Sequence, residues 1–147
     1  MPIVALQQLG NTEDLSMIVA LIGYNTSIEE ALKVCDNFDA LLIDPPSIKS
    51  KDELDLAWFL AEKSFKDKKN IANKFKYEFL LWLTGKRDIT SAMKISMPKN
   101  NVAFLILFNS DKKKILKALN AKEKKSELKK EADALSLEHM SLSRIKD

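Results

Sequence analysis

Apolar and polar positions along this chain form two kinds of segment, short apolar runs and longer amphipathic stretches. The runs at residues 3–9, 15–23, 38–43 and 102–108 have the length of strands, and the run at 15–23, which has β-branched members, is interpreted as a buried strand with a short helix as the alternative. The last run contains no polar residue, so we expect it at the centre of a sheet. Strands separated by helices predict an α/β fold, a single domain with a small mixed sheet of about four strands packed with several helices.

Two capping boxes mark helix starts. Ser27 with Glu30 three residues later predicts a helix to about residue 36, and Ser50 with Glu53 opens a second helix. Apolar side chains of this second helix recur at helical spacing, at Leu54, Ala57, Trp58, Ala61 and Phe65. A further helix is expected from residue 111 to about residue 119, and the chain from residue 122 is helical by propensity.

A third predicted helix, which follows the second one and ends at Gly85, is the most informative part of the chain. Its apolar residues, Tyr77 and 79–83, leave no polar face on its last turns, so we expect that segment to be buried on most sides. Gly85 stands where a helix end needs a residue that tolerates positive φ, and the basic residues 86–87 follow at once. Asp88 or Thr90 can cap a new short helix. The pattern predicts a rigid helix that holds a basic corner at the surface.

Composition limits the class of protein. The chain has 147 residues, of which 46% are hydrophobic and 31% are charged, as is ordinary for a globular protein with a core. We expect one domain over residues 1–147, with a C-terminal helical segment at 122–147. The apolar runs are too short to span a bilayer, and no secretory signal pattern precedes them. These features predict a cytoplasmic protein that has no membrane partner.

Residues suited to catalysis are few. The single cysteine, Cys35, and the single histidine, His139, cannot form a zinc site, and no glycine-rich phosphate loop is present. We therefore expect no metal, no cofactor and no catalytic residue, with Cys35 as a structural thiol and His139 as a partly buried or interface residue. Asp44 follows a strand and is expected to form a turn, whereas Glu78 lies inside the apolar helix and is expected to pair with a lysine or a backbone amide. The alternative is a small α/β enzyme that uses both carboxylates.

Positive charge is unevenly distributed although the net charge is only +3. Reading the sequence finds two arginines, Arg87 and Arg144, and a lysine cluster before and within the third helix. Arginine binds phosphate in bidentate fashion and stacks on bases, which favours RNA contact at this corner. The predicted basic surface consists of Lys69, Lys74, Lys76, Lys86 and Arg87. The alternatives left open are that Arg87 pairs with Asp88 or Glu78, or caps the preceding carbonyls. A second lysine cluster, at residues 112–130, is interpreted as a solvated face.

The C-terminal segment is apolar on more than one helical face. Its main stripe contains Leu128, Ala132, Leu135 and Leu142, and other apolar residues lie outside that stripe. Such a helix buries its excess apolar surface in its own core or in a partner. We predict partner contact at Leu137, Met140 and Ile145. The alternative is a generic dimerising domain that uses this helix.

Residues 27–108 also resemble a known family. The matching positions are Asn70-Ile71-Ala72, Glu78, Leu81, Gly85, Arg87, Ile89 and Ala92, preceded by matches at residues 40–46 and 53–65. This pattern is similar to the kinase-binding accessory subunit of the KEOPS complex, the PRPK-binding protein family of archaea and eukaryotes, and we expect an archaeal source. The resemblance implies a non-enzymatic subunit of a hetero-oligomeric complex that installs threonylcarbamoyladenosine in tRNA.

The resemblance also implies two partners. Members of the family bind the small atypical kinase of the complex and help to recruit tRNA through its 3′ CCA end. With Asn70 included from the matching motif, the predicted RNA-binding residues are Lys69, Asn70, Lys74, Lys86 and Arg87.

Overall fold

The computed structural model describes residues 17–124 and 134–144. These residues form two compact units, one from residues 17–45 and 97–124 and the other from residues 46–96 and 134–144. The predicted α/β class is confirmed, since the described part of the chain contains six α-helices and a four-stranded sheet.

The first unit contains the sheet. Its strands are β1 (Met17–Tyr24), β2 (Ala40–Ile43), β3 (Val102–Phe108) and β4 (Ala121–Lys124), in the order β2-β3-β1-β4. β3 is internal, as its apolar sequence predicted. All three ladders are antiparallel, so the expectation of a mixed sheet was wrong. Helix α1 (Ile28–Asn37) joins β1 to β2, but β3 pairs between these two strands, and a strand-helix-strand sequence therefore need not create neighbouring parallel strands.

The fourth strand is not the one that the sequence predicted. β4 pairs with Leu21–Tyr24 of β1, whereas residues 122 onward were expected to be helical. The expected strand at residues 3–9 lies outside the described residues. β4 is a short edge strand whose lysines and glutamate are exposed. Such charged edges resist unwanted pairing, but their composition resembles that of a helix.

The core of the first unit lies on one face of the sheet, under α1 and α5 (Lys112–Leu119). Ser27 accepts a hydrogen bond from the Glu30 N–H at 3.2 Å, which confirms the first predicted cap. Cys35 is buried in this core, as expected for a structural thiol. The core residues are Ala20, Ile22, Tyr24, Ala31, Cys35, Ala40, Leu42, Ala103, Leu105, Leu107, Ile115 and Leu119.

The second unit is helical. It contains α2 (Lys51–Lys66), α3 (Phe75–Thr84), α4 (Ile89–Ser96) and α6 (Ala134–Leu142). The Ser50 cap is confirmed, since its hydroxyl accepts from the Glu53 N–H at 3.3 Å. The central helix α3 is buried on most sides, as predicted, with Phe79–Leu83 all buried. It begins at Phe75, whose ring packs edge-on against Trp58 at 5.0 Å between centroids.

None of the helices within residues 17–124 and 134–144 combines the length and the apolar character that a bilayer crossing requires.

Candidate nucleic-acid interface

Two helices of the second unit end in the same backbone arrangement. After α2, Lys68 adopts a φ of 58°, and the Lys69 N–H donates to the Ser64 carbonyl at 2.8 Å. After α3, Gly85 adopts a φ of 72°, and the Lys86 N–H donates to the Leu81 carbonyl at 3.2 Å. Both are Schellman motifs, in which a left-handed residue closes the helix. Each motif fixes the backbone at the point where an exposed lysine follows.

Four exposed basic residues surround the ends of α3, and we call them the basic rim. They are Lys69, Lys74, Lys86 and Arg87. Lys74 is the N-cap residue of α3, and Lys86 follows its C-terminal glycine. The ten residues of α3 correspond to about 15 Å of helix, so the two halves of the basic rim are separated by roughly that distance. The predicted basic residues therefore divide into two groups at opposite ends of one buried helix.

Lys76 does not belong to this surface. The sequence placed it among the exposed lysines, but it is only 2% exposed. Its ammonium nitrogen lies 5.1 Å from the centroid of the Tyr77 ring, at a distance typical of a cation–π contact. The expectation was wrong because α3 is buried on this face as well, where a lysine stem can pack along apolar neighbours.

The two acids proposed as partners of Arg87 both make hydrogen bonds with other residues. Asp88 accepts a hydrogen bond from the Ser91 N–H at 2.8 Å and so caps α4. The hydrogen bonds from Ser91 hold the pKa of Asp88 below its ordinary value, with the Lys86 charge contributing in the same direction. Its ionised carboxylate therefore caps the N-terminus of α4. Glu78, the other candidate partner, is directed away into the interior of the second unit.

Glu78 shapes the loop between α2 and α3. It is fully buried, and its Oε1 accepts from the N–H groups of Ile71 and Ala72 at 3.0 and 2.9 Å. The Asn70 side-chain amide donates to the Ala72 carbonyl at 2.8 Å and closes the same loop. Four residues of the family resemblance thus form one hydrogen-bonded unit. The amide donor of Asn70 holds the loop, so this half-buried residue supports the basic rim rather than extending it.

The second oxygen of Glu78 pairs with Arg144. The distance from Glu78 Oε2 to the guanidinium NH1 is 2.6 Å, and the Arg144 side chain is 12% exposed. The guanidinium stacks over the Trp82 ring, 4.0 Å from its centroid, and Trp82 Nε1 donates to the Ser64 hydroxyl at 2.9 Å. We call Ser64, Glu78, Trp82 and Arg144 the buried polar cluster. Removing one partner of such a buried pair typically costs about 3–5 kcal/mol.

The buried polar cluster partly fulfils the sequence expectation. A backbone-amide partner for Glu78 was predicted and is confirmed. Its cationic partner is an arginine rather than a lysine, and it lies 66 residues away. The one available signal was the scarcity of arginine in a lysine-rich chain, because a planar guanidinium suits a buried pair better than an ammonium.

The C-terminal helix presents a different face from the one expected. Met140, predicted to contact a partner, is 3% exposed, so the expectation that it lies at a free surface was wrong. Leu137 is half-buried, and Ile145 lies outside the described residues. Leu137, Met140 and Arg144 recur at i, i+3 and i+7, so the inward face is the one that ends in the arginine. Leu142, from the predicted inward stripe, is instead 48% exposed.

His139 is exposed and lies against the end of α3. A Cβ atom built on Gly85 would lie 2.8 Å from His139 Nε2. The histidine was expected to be a partly buried or interface residue, and its exposed ring lies over the glycine rather than in the core. Gly85 is therefore constrained by its positive φ and by a close neighbour.

The two carboxylates of the enzyme alternative have separate structural tasks. Asp44 belongs to the first unit, where it accepts from the Lys99 N–H at 3.4 Å before the short 3-10 turn Pro45–Ser47. Glu78 belongs to the second unit and has three partners. Within residues 17–124 and 134–144, no group of three His, Cys, Asp or Glu residues could hold a metal ion.

No protein-family model matches the chain, and no curated protein matches it.

Proposed function

We propose that this chain is a non-catalytic, tRNA-recruiting and kinase-binding subunit of a KEOPS-type tRNA-modifying complex. The proposal is supported by the basic rim, four exposed cationic side chains placed around a buried helix whose end is closed by a rigid cap. It is also supported by the agreement between the family resemblance and the Asn70–Ala72 loop held by Glu78.

The spacing of the basic rim can accommodate a short single-stranded end as the ligand. Its two halves are about 15 Å apart, the length of α3. That distance corresponds to about four phosphates at the roughly 3.4 Å rise per residue of a duplex strand, and fewer in an extended strand. A 3′ CCA end with its preceding nucleotide is therefore long enough to reach from one half of the rim to the other. Arg87 is the residue suited to bidentate phosphate contact, and the lysines act as point charges.

Fluorescence anisotropy with intact tRNA and with the same tRNA lacking its 3′ CCA tests this function. We expect tighter binding of the intact tRNA and a loss of affinity between about 50 mM and about 200 mM salt, because phosphate contacts release counterions. Arg87→Ala should weaken binding and lower the salt slope by about one. Lys33→Ala, which removes an exposed charge from α1 in the first unit, is the matched control.

Two results would contradict the RNA assignment. One is equal affinity for the two tRNAs, which indicates nonspecific lysine electrostatics. The other is an Arg87→Ala variant that binds like the Lys33→Ala control at low salt.

The kinase partner requires an apolar surface. The second unit exposes several large apolar side chains, namely Phe59, Ile71, Ile89, Ile95 and Leu142. A partner that covers them gains apolar burial worth about 25 cal/mol per Å² of surface removed from water. Co-purification of the chain with the small kinase of the complex tests this arm separately from RNA binding. Failure to co-purify at micromolar concentrations would remove the kinase from the proposal.

A further inference from the structure

Glu78 connects two segments that are distant in the sequence. Its Oε1 holds the loop through the Ile71 and Ala72 N–H groups, and its Oε2 holds Arg144 at the end of the C-terminal helix. One carboxylate oxygen thus binds the loop, and the other binds the residue that follows the C-terminal helix. The conformation of the loop and the attachment of the helix end therefore depend on the same buried carboxylate.

The attachment of Arg144 is concentrated in one nitrogen. Its NH1 donates to Glu78 Oε2 at 2.6 Å and approaches the Ser64 hydroxyl at 3.4 Å. Its Nε and NH2 are buried and have no hydrogen-bond partner among the described residues. Loss of the arginine would leave Glu78 as a buried carboxylate with backbone donors alone. A buried carboxylate without its cationic partner is costly, so the side chain tends to turn toward water, and that movement weakens its hold on the loop.

The loop lies between two members of the basic rim. Lys69 precedes the Glu78-bound amides and Lys74 follows them. A loop held in one conformation fixes the backbone positions from which both lysine side chains extend. A loop released from Glu78 must be ordered when RNA binds, and that ordering reduces affinity.

We propose that Arg144 is a positioning residue for RNA binding, which acts through Glu78 to fix the Asn70–Ala72 loop and thereby couples the anchoring of the C-terminal helix to the basic rim. This inference rests on the proposed RNA-binding function. Arg144 itself does not contact RNA, because its guanidinium is stacked on Trp82 inside the unit. Whatever detaches the helix end would also loosen the loop.

The test compares Arg144→Gln with Lys51→Gln in the full chain. Lys51 forms an exposed ion pair with Asp55 in the same unit, so the control removes the same charge without touching Glu78. Amide hydrogen exchange of Ile71 and Ala72 is measured by NMR, and tRNA affinity is measured at a temperature well below each unfolding midpoint. We expect Arg144→Gln to speed exchange at both amides by about tenfold, the loss of roughly one net hydrogen bond. We expect its tRNA affinity to fall severalfold with an unchanged salt slope, since no phosphate contact is lost.

Two further variants keep the test decisive. Arg144→Lys retains the charge and guards against failure of the glutamine variant to fold, and its effect on exchange should be intermediate. Adding Glu78→Gln to Arg144→Gln removes the unpaired charge while leaving an oxygen for the two loop amides. This pair should restore part of the exchange protection, so the two substitutions should not be additive.

Each outcome is distinct. A lower unfolding midpoint with unchanged exchange at Ile71 and Ala72 and unchanged tRNA affinity would overturn the inference, because the arginine is then only structural. A salt slope reduced by about one would also overturn it by making Arg144 a direct phosphate contact. If the unaltered chain fails to distinguish the two tRNAs while loop exchange still responds to Arg144, the proposed function fails and the coupling to the loop remains.

Discussion

Replacing Gly85 by alanine should destabilise the second unit by a predictable amount. Gly85 closes α3 with a φ of 72°, and the Cβ of an alanine there would lie 2.8 Å from His139 Nε2. Two costs therefore coincide at one position. The first is backbone strain, which relaxation of the imidazole cannot relieve, and the second is a contact that rotation of the exposed ring can relieve.

The magnitude follows from the backbone term. A left-handed conformation costs an L-residue about 1–2 kcal/mol relative to glycine. The alanine recovers about 0.4–1 kcal/mol by restricting the unfolded chain. The net loss is about 1 kcal/mol, which lowers the unfolding midpoint by about 2–4 °C in a chain of this size. The displaced His139 ring should add little to this loss.

Thermal and urea unfolding of Gly85→Ala and Gly85→Asn measures both terms. Both variants place a Cβ against His139, but asparagine tolerates the left-handed region and should lose clearly less stability. Adding His139→Ala to Gly85→Ala should therefore rescue almost nothing. Equal losses for alanine and asparagine, both rescued by His139→Ala, would refute the reasoning, because the side-chain contact and not φ would then determine the cost.

Two other predictions concern backbone conformation and pH. Lys68→Gly should stabilise the chain by up to about 1 kcal/mol in urea unfolding, because Lys68 holds a φ of 58° that glycine adopts without strain, and a loss of stability would contradict this. Burial, with smaller contributions from Cys35 and Asp44, raises the pKa of Tyr24 above its ordinary value of 10.0. The folded state thus holds this proton more tightly, so its stabilising contribution is complete below pH 10 and is lost as pH rises toward the folded pKa. Tyr24→Phe should flatten the fall in urea midpoint above about pH 10, and an equally steep fall would show that other groups cause it.

Local patterns were enough to predict most of the helices and the central strand. Ser27 and Ser50 cap the helices that their sequences indicate, and Val102–Phe108 is internal because it has no polar residue to expose. These features depend on residues within a few positions of one another. They are the part of a fold on which propensity, capping and hydrophobic pattern agree.

Strand pairing was harder to predict from the sequence than the helices were. The Lys122–Lys124 part of β4 carries only charged residues, so nothing in its own sequence distinguishes an edge strand from a solvated helix. Its conformation is selected by pairing with Leu21–Gly23, about 100 positions earlier in the chain. Tertiary context decides in such cases, because intrinsic β-propensity is weak.

The candidate site shows the same division between local and distant information. The basic corner after Gly85 was predictable because a helix stop and its following charges are adjacent in the chain. The role of Arg144 was not, since it requires knowing that α6 turns the face of Met140 inward and thereby brings the arginine onto Trp82 and Glu78. A buried carboxylate in an apolar helix needs a cationic partner, and the chain contains only two arginines that could be that partner in the form of a guanidinium. Arg87 is exposed in the basic rim, and Arg144 completes the buried pair with Glu78. The two arginines of the chain therefore lie at the proposed RNA contact and at the buried pair that is proposed to position it.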